Sequence, residues 1–171
     1  MTGHSIIRKA HFLGAKIRKL RKDNGLTLDD LSVRCVQRDA ESAPSVSYLS
    51  MIETGKRKVY FGADTGFGTG AHFAQTARRY GRPDVALLPI GAYEPRWFMK
   101  DIHLNPEEAV RAHLDLNSQQ SLGIHFGVFQ LTWEAIDSPI TDLEAALDAQ
   151  GLPRETFWVL EPGTQQTLEP N

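Results

Sequence analysis

The chain changes character at Lys58–Val59, and any fold it adopts has to accommodate that join. Residues 1–58 carry 12 Lys/Arg against 6 Asp/Glu, a net charge of +6, whereas residues 59–171 carry 7 against 15, a net −8. The whole-chain value of −2 hides both. All three tryptophans and eight of the nine prolines follow the join. Before it, apolar residues recur at helical spacing; after it, short apolar runs alternate with helical stretches. The asymmetry points to an anionic partner for the basic part alone, or to a solvated basic face. No flexible spacer separates the two patterns, since Val59 closes one and opens the other.

In the basic part, Leu13, Ile17 and Leu20 define a helix through 14–24, and Gly25 stops it. Thr27 is placed to cap a second helix, with Asp30 three residues on and Leu28, Leu31 and Cys35 as its buried stripe. Ser45 or Ser47 caps a third, carrying Val46, Leu49 and Ile52 and ended by Gly55. Two short helices and a third followed by Lys56, Arg57 and Lys58 suit a helix-turn-helix, whose third helix would enter a major groove by its N-terminal end.

The stretches LGAKIRKLRKDNGLTLDDLS (13–32) and SVSYLSMIETGKRKV (45–59) resemble the Xre/λ-repressor-like regulators. The resemblance implies double-stranded DNA as partner, with Ser45, Ser47, Tyr48 and Ser50 near base edges or phosphates, and Lys56 and Arg57 on phosphates. Tyr48 reads equally well as a packed aromatic, and Glu53 as the internal partner of a helix-1 arginine such as Arg18. The connection around Arg38–Pro44 is longer than the family's turn, and the family's closing helices do not follow.

After the join the pattern is α/β. Strands are expected at 59–63, 85–90, 121–125 and 157–160, and helices at 71–80, 106–117 and 141–150, the second opened by Pro106 and the last stopped by Gly151. Asp64 and His125 fall at strand ends, where a carboxylate and an imidazole can ligate a hard or borderline divalent metal or serve structure alone.

The words VYFGADTGFG (59–68), ALLPIGAYEPRWFMKDIHLNPEEAV (86–110) and GIHFGVFQLTWEAID (123–137) resemble the metallo-β-lactamase-fold hydrolases. The nearest type is the group of N-acyl-phosphatidylethanolamine phospholipase D and its bacterial relatives. The resemblance covers roughly residues 59–161 and implies zinc, with Asp64 and His125 as metal ligands. It also implies phosphodiester hydrolysis, zinc activating a water and polarising the phosphoryl oxygen. Arg96 is either a phosphate contact or a structural ion-pair partner.

The family's His-x-His-x-Asp-His word occurs nowhere in the chain. Two matched ligands fall short of the three a catalytic zinc takes, and spacing sets His72, His103 and His113 aside. The expected architecture is therefore mixed α+β: a truncated all-α helix-turn-helix unit at 1–58, then an incomplete half-sandwich of metallo-β-lactamase type at 59–171. Its sheet would leave one face uncovered, open to a homodimer or a complementing chain.

Three functions follow as expectations. The first is a fusion whose phosphodiesterase part is catalytically incomplete. The second is a DNA-binding regulator that uses the acidic part for dimerisation or sensing. The third is a hydrolase acting on a phosphodiester or phospholipid once another chain completes its site. No run of about 18 apolar residues marks a transmembrane helix. The lone Cys35 and the lack of a signal-peptide pattern suggest a cytoplasmic setting. The Gly-rich turn at 62–70 is not followed by Gly-Lys-Ser/Thr, which argues against a nucleotide loop.

Overall fold

The computed structural model describes residues 13–35 and 44–168. Three helices come first: α1 (Leu13–Asp23), α2 (Leu28–Arg34) and α3 (Val46–Glu53). A Thr27–Asp30 capping box opens α2, and the Ser45 hydroxyl accepts from the Tyr48 N–H to open α3. Gly14 lets α1 approach α3, because a Cβ there would sit 1.8 Å from the Ile52 carbonyl oxygen. The partner of Glu53 is Arg21, not Arg18. Arg21 Nε and Nη2 reach the two carboxylate oxygens at 2.6 and 2.8 Å, and Nη1 reaches the Leu26 carbonyl. The expected burial of Cys35 does not hold: it lies at the C-cap of α2 and is exposed. Most of the long connection at 38–44 lies outside the described residues, as does the N-terminal dodecapeptide.

The rest is β1 (Val59–Phe61), α4 (Ala71–Tyr80), β2 (Val85–Pro89), α5 (Arg96–Met99), α6 (Pro106–Leu116), β3 (Gln120–Ile124), α7 (Ser138–Ala149), a 3-10 turn (Arg154–Thr156) and β4 (Phe157–Trp158). The strands form one parallel sheet in the order β1-β2-β3-β4. Parallel neighbours need crossovers, and the helices between the strands serve as these.

One register row runs Tyr60, Ala86, Ser121, Phe157, and these side chains belong to or border the core under α4, α6 and α7. Phe73 of α4, Leu88 of β2, Leu116 of α6, and Leu143 and Leu147 of α7 are buried there. The next row, Phe61, Leu87, Leu122, Trp158, points to the opposite face, where Phe61 is exposed and the other three are half-buried. The sheet is thus apolar on both faces, and the core sits on the helical one.

The join is stitched into this sheet. Asp84, just before β2, takes the Arg57 guanidinium at 2.8 Å and the Lys58 N–H at 2.6 Å, and its own N–H donates to the Lys58 carbonyl. The chain enters β1 directly from that clamp, and α1 packs against β1. Among the described residues no helix is long and apolar enough to cross a membrane.

Candidate metal centre

Three neighbouring strands end in the same unusual way. Ala63 after β1, Ala92 after β2 and His125 after β3 all have positive φ, at 53°, 63° and 62°. A left-handed residue with a Cβ costs about 1–2 kcal/mol, and such strain gathers at sites that the surrounding structure over-determines. The turns bring Asp64 and His125 together across the end of β2, with His125 Nε2 3.7 Å from Asp64 Oδ2.

A third group joins them. His103 lies in the loop between α5 and α6, and its Nδ1 stands 2.9 Å from Asp64 Oδ1. The loop is held from both sides. His103 N–H donates to the Met99 carbonyl and Leu104 N–H to the Thr65 carbonyl. Gly66 gives the loop room to approach, since a Cβ there would lie 2.4 Å from the Asp101 carbonyl oxygen. One donor atom from each of Asp64, His103 and His125 falls within 4.8 Å of the others. Side-chain exposure of 14% for His103, 33% for His125 and 53% for Asp64 gives the group a buried wall and an open front.

The group fits a metal on an observation of its own. His103 Nδ1 is buried, yet among the described residues it has no hydrogen-bond partner, although the Asp64 carboxylate is within reach. Proximity without hydrogen-bond alignment leaves an orphaned ring nitrogen, and a metal would satisfy it. Two imidazoles and one carboxylate suit zinc, and three protein donors leave a fourth position open. Sequence spacing set His103 aside; the pinned α5–α6 loop brings it in.

Arg96 is engaged by protein groups. Its Nη2 pairs with Glu108 at 2.8 Å, and its Nη1 donates to the carbonyls of Tyr93 and His103. Of the two roles open to it, the structure shows the ion pair. In the helical part, Ser45 and Ser47 are exposed at the start of α3, while Tyr48 and Ser50 are half-buried. Burial raises the Tyr48 hydroxyl's pKa. Lys56 is exposed, but the Arg57 side chain is 10% exposed and bound to Asp84, so it is not presented to a phosphate.

Beside His125 opens a cavity of about 330 Å³ lined by Phe126, Val128, Phe129, Leu131, Ile136 and Pro139. Glu134 anchors its wall, accepting hydrogen bonds from the Tyr93 and Glu94 N–H groups and the Thr132 hydroxyl. Burial works against ionisation there, but these hydrogen bonds outweigh it and hold the carboxyl below its usual range. Val128, Phe129 and Leu131 expose most of their surface at the cavity.

The beta-lactamase superfamily domain model matches residues 2–126, a stretch that includes the join and all three donors. The chain belongs to the beta-lactamase superfamily. Within the superfamily it is 41% identical over 104 residues to N-acyl-phosphatidylethanolamine-hydrolyzing phospholipase D 1 of Caenorhabditis elegans, covering 60% of this chain and 29% of that protein. An uncharacterized protein of Mycobacterium bovis is 36% identical over 144 residues, covering 79% of this chain and 38% of its own. The mitochondrial N-acyl-phosphatidylethanolamine-hydrolyzing phospholipase D of Saccharomyces cerevisiae is 35% identical over 91 residues, 53% of this chain and 19% of that one. The chain therefore spans well under half the length of these superfamily relatives. The match across residues 2–58 speaks for the superfamily and gives no separate support to a helix-turn-helix.

Proposed function

We propose that the chain carries a single-metal hydrolase centre for phosphodiesters with apolar chains, built on Asp64, His103 and His125. The observation that carries this reading is the convergence of those three donors around an orphaned, buried His103 nitrogen. Zinc, when bound, would lower the pKa of a water and withdraw charge from a phosphoryl oxygen. The chain's own residues do the rest. The Asp64 carboxylate offsets cationic charge, and the two imidazoles bind as neutral donors. The apolar wall of Phe126, Val128, Phe129 and Leu131 takes up hydrocarbon and displaces water beside His125. Two relatives are named for hydrolysing an N-acylated phospholipid, a substrate of that chemistry. The lone exposed thiol, Cys35, accords with a reducing compartment such as the cytoplasm.

Titration of the chelator-stripped chain with zinc and cobalt, followed by assay on N-acyl phosphatidylethanolamine, tests the reading. One ion per chain is expected, with turnover lost in Asp64→Ala. Absence of stoichiometric binding would sink it. One bound ion without turnover would favour a site completed by a second chain.

A second reading keeps residues 1–58 as a DNA-binding unit separate from 59–171. The exposed Ser45 and Ser47 at the start of α3, the exposed Lys56 and the net +6 favour it. It predicts salt-sensitive duplex binding lost in Lys56→Ala, and no gel shift at low salt would remove it.

A further inference from the structure

The α5–α6 loop poses a problem of its own. His103 belongs to a seven-residue stretch, 97–103, with Arg96 at one end and Asn105, the N-cap of α6, just beyond the other. A stretch of this length, part helix and part loop, has many ways to carry an imidazole, yet this one holds Nδ1 against Asp64. One side chain spans the whole stretch. Arg96, the first residue of α5, reaches forward with Nη2 to Glu108 Oε2 at 2.8 Å. The same Glu108 oxygen accepts the Asn105 N–H at 3.1 Å, in the capping box that opens α6. With Nη1, Arg96 donates to the His103 carbonyl at 3.1 Å and to the Tyr93 carbonyl at 3.3 Å.

We propose that Arg96 is a positioning residue for His103: it clamps the His103 peptide to Glu108 and thereby sets the imidazole against Asp64. The inference rests on the metal-centre reading for its consequence, though not for its geometry. The guanidinium is the suitable group because its rigid fork serves a carboxylate and two carbonyls at once. A lysine in its place keeps the attraction to Glu108 but brings one compact ammonium to a site that uses two separated nitrogens. His103 N–H is already committed to the Met99 carbonyl, so the Arg96 bond fixes the other side of the residue.

The test uses the full chain with Arg96→Ala, Arg96→Lys and His103→Ala. Cobalt affinity and the visible spectrum of the bound ion are the first readouts. Loss of an outer partner of a ligand commonly weakens metal binding by 10–100-fold, and a loss in that range with a changed spectrum is expected for Arg96→Ala. Arg96→Lys should recover thermal stability through Glu108 but leave the affinity low, which a purely structural role would not do. In the His103→Ala background, Arg96→Ala should cause no further loss of affinity. An equal loss there, or unchanged affinity and spectrum in the single variant, overturns the proposal. The second readout needs no metal: the NMR signals of the His103 ring should move in Arg96→Ala. If the parent chain binds no cobalt, the metal reading fails, and unmoved ring signals would then overturn the positioning role as well.

Discussion

Arg57 and Asp84 meet at 2.8 Å across the join between the basic and acidic parts, with side chains only 10% and 14% exposed. Arg57 precedes the sheet and Asp84 immediately precedes its second strand. The pair replaces what a linker would have done: it fixes where the helical part ends and where β1 begins. The same carboxylate takes the Lys58 N–H, so the basic part is held by the Arg57 charge and by the Lys58 backbone together.

Asp84→Ala should therefore be among the more damaging single changes at the join. It removes the carboxylate from a mostly buried guanidinium and the acceptor from the Lys58 amide at once, and breaking such a pair costs about 3–5 kcal/mol. Urea unfolding of the variant measures this. A loss near the 0–1 kcal/mol typical of exposed pairs would show that the join is held by packing alone.

Stability should also fall on mild acidification, for a reason outside the metal centre. His113 of α6 is buried and shares a 2.8 Å hydrogen bond with Ser121 of β3. Burial, with a smaller contribution from the nearby positive charge of Arg82, lowers its pKa from the ordinary 6.5. The unfolded chain then binds the proton more readily than the folded one. Stability is fully present above about 6.5 and declines as the pH falls from there toward the lowered folded value. Urea midpoints compared at pH 7.5 and 5.5 should fall in the parent and fall less in His113→Asn. Equal slopes in the two would reject the assignment.

Much of the sheet was legible because its residues obey local rules. The helix expected at 71–80 is α4 residue for residue, and Pro106 opens α6 as its rigid φ predicts. Strands β1, β2 and β4 are shorter than their apolar runs, and β4 is reduced to Phe157–Trp158, its pairing stopping opposite Leu122 although β3 runs on to Ile124; β3 keeps its expected length but lies one residue earlier. The helix expected from 141 begins at Ser138, since Pro139 is well suited to a first turn. Helix α5 is one turn long and escaped notice, and with it the loop that carries His103. No spacing rule could assign that histidine. Its approach to Asp64 depends on the Leu104–Thr65 hydrogen bond and on the missing Cβ of Gly66, both tertiary facts. The positive φ of His125 is equally non-local, for nothing in Gly-Ile-His-Phe-Gly requires it.

Glu134 offers a way to loosen the apolar cavity without touching the metal donors. Its carboxylate joins the 132–134 turn to the Tyr93 and Glu94 N–H groups, beside a longer Trp133 N–H bond to the Glu94 carbonyl at 3.5 Å. Glu134→Ala leaves two half-buried N–H groups without that acceptor, a cost of about 1–3 kcal/mol for each one that water cannot reach. Hydrogen exchange across 126–136 should quicken while cobalt affinity stays within about two-fold of the parent. A matching drop in affinity would mean that the loop and His125 move as one body.

Gly14 tests whether the helices and the sheet are separable. A Cβ at this position would lie 1.8 Å from the Ile52 carbonyl oxygen, backbone that cannot rotate aside. Gly14→Ala must push α1 off α3, and overpacking of this kind costs about 1–3 kcal/mol or more. The displaced pair also loses the Arg21–Glu53 bond that ties the two helices. If the division at residue 58 is a true unit boundary, exchange should rise through 14–53, while Val85–Pro89 and Gln120–Ile124 keep their protection. A uniform rise across the strands would overturn the boundary. It would make the Asp84 clamp the seam of a single cooperative fold, consistent with a superfamily match that runs across it.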